Sequence, residues 1–398
     1  MTIRVVIALS DKAIEASVVR RLARADTGAT VVRRCLDVVE LRAVAAAGLA
    51  DVAVVELHLR GMDRDVVREL HSHGLRVVGI SLEAGNATLG VDAVVPPKPE
   101  HICTALRGGQ VAIGIDDPTL LAPDEALTGN LMTVWGPIGA PGRTSIAVAI
   151  ADELALLSLP TLLADVDTYG PSVAQHLGLL DDSSGVAAVC RLAGQGRLDG
   201  TAVVRSAVAL PSGLRVLTGI PRTERWEELR PAALDLLWQH SRSFAASTVA
   251  DIGFCVEQDE LAWFEPGMPS RNQAAVATLA AADTLVAVTS ADPVGLTRFL
   301  RQAPLVRELA PAASFNVVVN RMPKGRQPES EVRALLREHL DVHTATFVPD
   351  SSVLFASCRQ AGRTLSEVAP RSEARRQLRG LAAQVAGVRL SRKRRRAA

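Results

Sequence analysis

The sequence predicts an α/β protein with two domains, each built on a mostly parallel sheet. Short apolar runs alternate with amphipathic stretches along most of its 398 residues, and this rhythm is typical of parallel strands joined by helices. A chain of this length also exceeds one ordinary hydrophobic core. One polar segment separates two alternating regions, so each region is expected to form its own domain.

The first alternating region covers residues 1–108. Strands are predicted in IRVVIAL, TVVRRC, DVAVVEL, RVVGISL and VDAVV, and helices in DKAIEASVVRRLAR, DVVELRAVAAAG and RDVVRELHSHG. The segment that follows, GIDDPTLLAPDEALTGN, has two prolines and four acidic residues and sustains no periodicity. Residues 109–128 are therefore predicted to be an interdomain linker.

The second alternating region covers residues 129–388. Its seven near-continuous apolar runs are LMTVW, PTLLADV, LRVLTG, STVADIG, TLVAVTS, FNVVVN and ATFVP. Continuous hydrophobicity indicates strands that are buried on both faces, and helical patterns such as SIAVAIADELALL separate them. A doubly wound sheet is therefore predicted here. The strongly basic residues 389–398 are predicted to be a disordered tail.

Composition excludes several classes of protein. Aromatic residues make up only 3% of the chain and the net charge is +1, which argues against base-stacking surfaces and specific nucleic-acid binding. The five cysteines include no C-x-x-C pair, so zinc ribbons and iron–sulfur clusters lack a ligand set. Unpatterned cysteines, no signal peptide and no apolar segment of about 20 residues together predict a cytoplasmic protein.

The segment VWGPIGAPGRTS (residues 134–145) has the features of a phosphate-binding loop. Its glycines, Gly136, Gly139 and Gly142, stand between an apolar run and an apolar helix. Glycine lets backbone N–H groups approach a phosphate, and a helix N-terminus favours anions. The strict G-x-x-x-x-G-K-[ST] pattern is not met, because Pro137 and Arg143 replace its first glycine and its lysine. From the loop alone, a phosphate site and a plain Gly-Pro-rich turn are equal alternatives.

Three aspartates favour the phosphate site. Asp165 and Asp167 end the apolar run that follows the loop, and Asp251 ends a later run. Parallel strands bring their carboxyl ends to one edge of a sheet, where ligands bind. Thr144 is placed to offer a hydroxyl to magnesium, and Asp251 could hold magnesium-bound water. Each aspartate alone is an ordinary strand-end residue, but three at these positions indicate a site.

These segments resemble the deviant Walker family of P-loop ATPases, which includes MinD and ParA, over residues 129–388. The CpaE/TadZ branch, associated with localisation of pilus and secretion machinery, is the branch the sequence looks most like. The family motif K-G-G-x-G-K-T is similar to IGAPGRT, LLADVDTYGPSVAQHLGL resembles the first switch segment, and TVADIGF resembles the Walker B strand. The resemblance implies ATP and Mg²⁺ as cofactors.

The resemblance also assigns residue roles. Asp167 would be the catalytic residue that orients the attacking water. VVVNR and FVPD are similar to the strand end and loop that contact adenine. The implied metal site comprises Thr144, Asp165 and Asp251. The implied nucleotide contacts are Gly139, Ala140, Gly142, Arg143, Thr144, Ser145, Asn320, Arg321, Pro349 and Asp350.

Two lysines of the family pattern are replaced. Ile138 stands in place of the signature lysine, which crosses a dimer interface to the partner's nucleotide, and Arg143 in place of the P-loop lysine. A guanidinium can pair with phosphate oxygens, but it is bulkier than an ammonium group. Pro141 also removes one backbone N–H from the loop. We therefore expect nucleotide to bind while hydrolysis is slow or absent.

Residues 1–108 resemble a response-regulator receiver domain, which has a flavodoxin-like fold. Lys98 and Ser81 match that pattern, but Ser10 precedes Asp11 in the acidic pair, and Glu56 replaces the aspartate that accepts the phosphoryl group. Glutamate does not readily serve as a phosphoacceptor. A pseudo-receiver used for docking or dimerisation is therefore favoured over a phosphorylated switch.

Taken together, the resemblance implies an ATP-binding, homodimeric localisation protein that positions a pilus, secretion or septum-associated complex. Its location would be cytoplasmic, at a membrane or at a cell pole. Two alternatives stay open: a non-hydrolysing dimeric scaffold without nucleotide dependence, and a ParA-like DNA-partition ATPase, which the neutral charge disfavours. For the basic tail, the alternatives are a solvated end, a peripheral contact with anionic lipid, and nonspecific contact with DNA phosphates.

Overall fold

The structure is a computed structural model that describes residues 2–81, 89–106, 129–139, 142–179, 183–257 and 270–388. The predicted linker at 109–128, Ala140, Pro141 and the basic tail lie outside the described residues. The chain forms two compact units. The first contains a five-stranded sheet and the second an eight-stranded sheet.

The first unit alternates strands and helices as predicted. Its strands are β1 (Ile3–Ala8), β2 (Ala29–Cys35), β3 (Val52–Glu56), β4 (Arg76–Ile80) and β5 (Ala93–Val95). Its helices are α1 (Lys12–Leu22), α2 (Val38–Ala46), α3 (Arg64–Ser72) and α4 (Pro99–Leu106), with a 3₁₀ turn at Ala25–Thr27. All strand pairs are parallel, in the order β2-β1-β3-β4-β5. This is the strand order of flavodoxin-like sheets.

The strands of the second unit are β6 (Asn130–Trp135), β7 (Thr161–Val166), β8 (Val208–Ala209), β9 (Arg215–Leu217), β10 (Ser247–Ile252), β11 (Thr284–Ser290), β12 (Ser314–Met322) and β13 (Ala345–Pro349). The helices in its first half are α5 (Arg143–Leu156), α6 (Val173–His176), α7 (Gly185–Gly194), α8 (Gly200–Ser206) and α9 (Pro231–Phe244), with a 3₁₀ turn at Thr223–Glu228. Those in its second half are α10 (Gln273–Ala280), α11 (Pro293–Leu309), α12 (Arg326–Leu340), α13 (Ser352–Ala361), α14 (Leu365–Val368) and α15 (Glu373–Val385).

The eight strands lie in the order β13-β12-β11-β6-β10-β7-β9-β8, and only the β8–β9 pair is antiparallel. Seven strands match the predicted apolar runs. The eighth, β8, has two exposed residues, too few for any periodicity to reveal. The chain passes from β6 to β7, towards one edge of the sheet, and from β10 to β11, towards the opposite edge. Ligands bind at such a reversal, outside the carboxyl ends of the strands. The predicted fold class is confirmed.

Helix α5 is the central support of this edge. It carries apolar residues around its circumference, and every residue from Ser145 to Ala155 is buried, as expected for a helix that is covered on all sides. Two of its buried residues are acidic. Glu153 accepts a 2.5 Å hydrogen bond from Arg375 Nε of α15, and Asp152 Oδ2 accepts a 2.5 Å bond from Ser366. These bonds fix the helix whose N-terminus faces the candidate site.

Candidate functional site

The predicted phosphate loop connects β6 to the N-terminus of α5. Gly139 and Gly142 have φ angles of +75° and +94°, a region that other residues rarely adopt. Gly142 immediately precedes α5, and a Cβ atom at this position would lie 2.6 Å from Asn320 Nδ2. Glycine is therefore required here both by backbone conformation and by the closeness of β12.

Replacing Gly142 by alanine is expected to destabilise the protein by about 1–2 kcal/mol from backbone conformation alone. The clash with Asn320 adds to this cost and displaces a lining residue of the site. Urea unfolding measures the effect. Gly194→Ala is the matched control, because nothing lies within 4 Å of a Cβ at this helical glycine. Equal stability of the two variants would contradict the packing argument.

Asp165 and Asp251 are neighbours across the sheet. Strands β7 and β10 pair in parallel with Asp165 opposite Asp251, so both side chains lie on the same face at the same level. Both are 1% exposed, and Asp167, just beyond β7, is 2% exposed. The structure thus places the three aspartates at one edge of the sheet, as the sequence predicted.

The carboxylate of Asp165 is held by the chain that follows it. Its Oδ2 accepts hydrogen bonds from the backbone N–H groups of Ser172 (2.9 Å) and Val173 (3.0 Å), and its Oδ1 from Asp167 N (3.2 Å). Burial, followed by the nearby charge of Asp251, nevertheless raises the pKa of Asp165 well above its usual value. Asp165 therefore organises the loop between β7 and α6.

Asp251 has a different environment. Both carboxylate oxygens are buried, and within the described parts of the chain neither has a partner with hydrogen-bond geometry. Burial raises the pKa of Asp251 to about 7, while the Arg143 guanidinium and the Thr144 hydroxyl act in the opposite direction. Buried polar groups normally have partners, so these two oxygens are suited to bind a cation. The sequence alone could not show that Asp251 differs from Asp165 in this way.

Arg143 does not extend freely into the site. Its Nη2 donates to Asp167 Oδ2 at 3.0 Å, and its Nη1 to the carbonyl of Gly136 at 3.2 Å. The other oxygen of Asp167 accepts backbone hydrogen bonds from Tyr169 and Gly170. Both oxygens of the predicted catalytic aspartate are therefore engaged. Nothing in the sequence spacing indicated this ion pair.

Side-chain hydrogen bonds connect the first turn of α5 to α6 and its N-cap residue, Ser172. The Ser172 hydroxyl donates to Thr144 Oγ1 at 3.3 Å. His176 Nδ1 lies 2.8 Å from the Ser172 carbonyl. Because a carbonyl can only accept, Nδ1 carries the proton of the neutral ring and donates it. The other ring nitrogen, Nε2, therefore accepts from the Ser145 hydroxyl 3.2 Å away. Burial lowers the pKa of His176, which keeps the ring neutral in this role. His176 was not predicted as a site residue.

The predicted adenine-contacting residues lie at the ends of β12 and β13. Asn320 is buried against Gly142. Arg321 has a φ of +52°, a strained value for a non-glycine residue that is common at functional sites. Pro349 pairs with Met322. Asp350 accepts from the Ser352 hydroxyl at 2.6 Å, and this bond lowers its pKa.

A cavity of about 460 Å³ opens at this edge, lined by Gly139, Gly142, Arg143, Thr144 and Ser145 of the loop and α5, and by Ser172, His176, Phe254, Arg321 and Arg359 among others. An adjoining cavity of about 90 Å³ shares Gly142, Ser145, Arg321 and Arg359, and Asn320, Ser352 and Phe355 also line it. Their size suits a small-molecule ligand. Arg359 was missed, yet Ser352, Phe355 and Arg359 share one helical face, and this periodicity could have revealed it.

The described residues contain no group of three or more His, Cys, Asp or Glu side chains placed to hold a metal ion. A cation here would depend on Thr144 and Asp251 together with a ligand. Among the same residues, no helix is long and apolar enough to cross a membrane.

The receiver-like residues of the first unit also form contacts. The Glu56 carboxylate accepts hydrogen bonds from the Ser10 backbone N–H (2.8 Å) and from the Ser10 hydroxyl. Asp11 caps α1 by accepting from the backbone of Ala13 and Ile14. Glu56 and Asp11 are thus engaged by hydroxyl and amide groups.

Comparison with known proteins identifies the fold of the second unit. No protein-family model matches the sequence, and no curated protein sequence matches it. Solved structures do match. A ParA family ATPase from Chlorobium tepidum is 17% identical, with a TM-score of 0.53 over 64% of this chain and 98% of that one. The second unit has the fold of the MinD/ParA ATPases.

Two further structures support the same conclusion. The ATP complex of a substituted Cyanothece McdA is 13% identical, with a TM-score of 0.52 over 67% of this chain and 100% of that one. The cell division ATPase MinD of Pyrococcus furiosus is 14% identical, with a TM-score of 0.50 over 65% and 98%. In the MinD/ParA fold of this chain, the loop before α5, Asp165 and Asp251 occupy one edge of the sheet.

Proposed function

We propose that this chain is an ATP-binding positioning protein of the MinD/ParA type, in the CpaE/TadZ branch, which hydrolyses ATP weakly or not at all. The observation that carries the proposal is the 460 Å³ cavity at the N-terminus of α5, bordered by Gly139, Gly142 and Thr144. Backbone N–H groups at such a helix end bind phosphates. As a homodimer, the protein would position a pilus, secretion or septum-associated complex, in the cytoplasm, at a membrane or at a pole.

The residues present fit a magnesium ion. Asp251 has two buried oxygens without hydrogen-bond partners among the described residues, and magnesium prefers oxygen ligands that it shares with substrate phosphates. Thr144 and Asp251 would hold the ion, whereas Asp165 is engaged by backbone N–H groups and would support the loop. Bound magnesium would neutralise phosphate charge.

Slow hydrolysis follows from the Arg143–Asp167 ion pair. Three donors already bind the Asp167 carboxylate, Arg143 Nη2 at Oδ2 and the backbone N–H groups of Tyr169 and Gly170 at Oδ1, so they compete with a water for it. Ile138 supplies no cation in place of the signature lysine. The developing charge in phosphoryl transfer would therefore be poorly stabilised. This same observation also supports a second candidate function, a non-hydrolysing dimeric scaffold without nucleotide dependence.

We expect MgATP to bind the full chain and to raise its melting temperature, because a ligand of the folded state stabilises it. Isothermal titration and thermal melting measure these effects. Thr144→Ala is expected to weaken binding about tenfold or more by removing a magnesium ligand. Thr297→Ala is the matched control, because its exposed hydroxyl bonds only within α11. No heat and no change in melting temperature would favour the nucleotide-independent scaffold.

The first unit is proposed to be a pseudo-receiver that docks or dimerises. Glu56 is bonded to Ser10 and offers no aspartyl group for phosphorylation. Acetyl phosphate is therefore expected to leave the unit unlabelled, as judged by intact-mass spectrometry. A mass increase that is lost in Glu56→Ala would instead establish a phosphorylated switch.

A further inference from the structure

The imidazole ring of His176 is held in one orientation at the 460 Å³ cavity, which it lines. Its Nδ1 lies 2.8 Å from the Ser172 carbonyl, and the same carbonyl accepts the backbone N–H of His176 at 3.0 Å. The ring cannot flip without losing its bond to this carbonyl. Nε2 therefore faces the hydroxyl of Ser145, 3.2 Å away on the first turn of α5.

The Ser145 hydroxyl has a single proton to donate. Ser145 is 7% exposed and lines both cavities. While His176 is neutral, Nε2 accepts the proton of this hydroxyl, so only the lone pairs of the Ser145 oxygen remain for a ligand. Lone pairs repel the oxygens of a phosphate group. The neutral ring therefore keeps Ser145 in a state that does not favour an anionic ligand.

Protonation of the ring reverses the direction of this hydrogen bond. A protonated histidine donates from both nitrogens, so Nδ1 keeps its bond to the Ser172 carbonyl and Nε2 donates to Ser145 Oγ. The Ser145 proton is then free to be donated to a ligand in the cavity, and the ring adds a positive charge at the same place. Both changes favour an anion, because hydrogen bonds to a charged acceptor are the strong ones.

Helices α5 and α13 pack against α6. Their ionisable side chains are Arg143, Asp152, Glu153, Cys358 and Arg359. Arg143 is paired with Asp167, the two acids lie about two turns along α5 from the ring, and burial raises the pKa of Cys358, which stays neutral. Burial, and then the positive charge of Arg359, lowers the pKa of His176. Arg359 lines the same cavity, so an anion bound there would offset its charge and favour the protonated ring.

We propose that His176 couples the binding of an anionic ligand in this cavity to the uptake of a proton. A proton from solvent binds Nε2, the ring donates to Ser145, and Ser145 donates to a phosphate oxygen of the ligand. This rests on the proposed nucleotide site and adds a positioning residue to it. Because the protonated ring favours the ligand, affinity increases as the pH falls through the range in which the ring titrates.

The first test measures the affinity of the full chain for the magnesium complex of a non-hydrolysable ATP analogue at pH 8 and pH 5.5. His176→Gln removes the titrating ring but keeps a polar side chain. The affinity of the unaltered chain relative to this variant is expected to rise about tenfold between the two pH values. The ratio cancels the titration of Asp251 and of the ligand, which both proteins share. His343→Gln is the control, because His343 is exposed and is not among the described residues that line the cavities.

The second test distinguishes the hydroxyl from the charge of the ring. Ser145→Ala is expected to remove most of the pH dependence that is due to His176, because the ring then has no hydroxyl to reorient. Histidine-ring NMR follows all eight histidines, and the His176 signal is assigned by its loss in His176→Gln. The pKa of His176 is expected to be about one unit higher with the ligand bound than without it.

Three results overturn the inference and leave the proposed function standing. The first is an affinity ratio that does not change with pH, and the second is a pH dependence that Ser145→Ala retains in full. The third applies even when His176→Gln does not fold: no histidine pKa in the unaltered chain rises when the ligand binds. Failure of the ligand to bind at any pH overturns both the inference and the proposed function.

Discussion

Replacing Asp251 by asparagine is expected to stabilise the folded protein above pH 7 and to abolish magnesium-dependent nucleotide binding. Asp251 is 1% exposed, and neither of its oxygens has a partner with hydrogen-bond geometry among the described residues, although the nearby Thr144 hydroxyl lowers its pKa. An ionised carboxylate in this position is costly because burial penalises the charged form. Asparagine has the same shape and no charge, but it cannot serve a cation as a carboxylate does.

The pH dependence follows from the raised pKa. The carboxyl group loses its proton near pH 3.8 when unfolded and at about 7 when folded. Between these values the folded protein binds more protons than the unfolded chain, so the free energy of unfolding falls as pH rises. The advantage of Asp251→Asn is therefore small near pH 4 and complete above pH 7, where it reaches roughly 2–4 kcal/mol.

Urea unfolding at pH 4.5 and pH 8 tests this directly, without magnesium. Asp341→Asn is the control, because the Asp341 side chain is 89% exposed and its contact with the exposed His343 is a surface ion pair, which contributes little to stability. The burial argument fails if Asp251→Asn gains nothing over the control at pH 8. Retention of magnesium-dependent binding by Asp251→Asn would remove this residue from the metal site.

The sequence predicted the elements that depend on continuous patterns. Strands β7 and β10 are buried throughout, and each carries an aspartate one residue before its end, so their shared edge followed from parallel pairing. The register that sets Asp165 opposite Asp251 agrees with that expectation. The domain boundary near 108 and the individual site roles stay predictions, since residues 107–128 lie outside the described part and no ligand contact tests the roles.

Interactions between side chains that are distant in sequence could not be predicted. Arg143 differs from a P-loop lysine in size and fork geometry, but its bond to Asp167 depends on the path of the loop after β7. The hydrogen bond between His176 and Ser145 could not be predicted either, because it depends on α6 beginning beside α5. The orphaned oxygens of Asp251 are likewise a property of burial and packing. Function at this edge therefore depends on tertiary contacts that follow no sequence periodicity.

Restoring both lysines, by Ile138→Lys together with Arg143→Lys, is expected to raise ATP hydrolysis by about 10²-fold or more, the effect of one well-placed transition-state donor. Lysine is a compact cation without the guanidinium fork, so it would bind Asp167 less firmly and leave an oxygen for water. Ile138 is 51% exposed, so lysine fits there without core disruption. The substitution at position 143 removes the guanidinium bonds to Asp167 and Gly136, but it also removes a buried Nε that has no partner among the described residues.

Phosphate release under saturating MgATP measures the gain in the doubly substituted protein. The control adds Asp167→Asn to the same background, and it is expected to return the rate to that of the unaltered chain, because asparagine does not orient water as a carboxylate does. Each single lysine variant is expected to give a smaller gain, since the two cations would act on the same developing charge. If the double variant binds ATP and its rate is unchanged, the two replaced lysines are not the cause of slow hydrolysis. The limiting feature would then lie in the loop after β7, where Asp167 Oδ1 is held by the backbone of Tyr169 and Gly170.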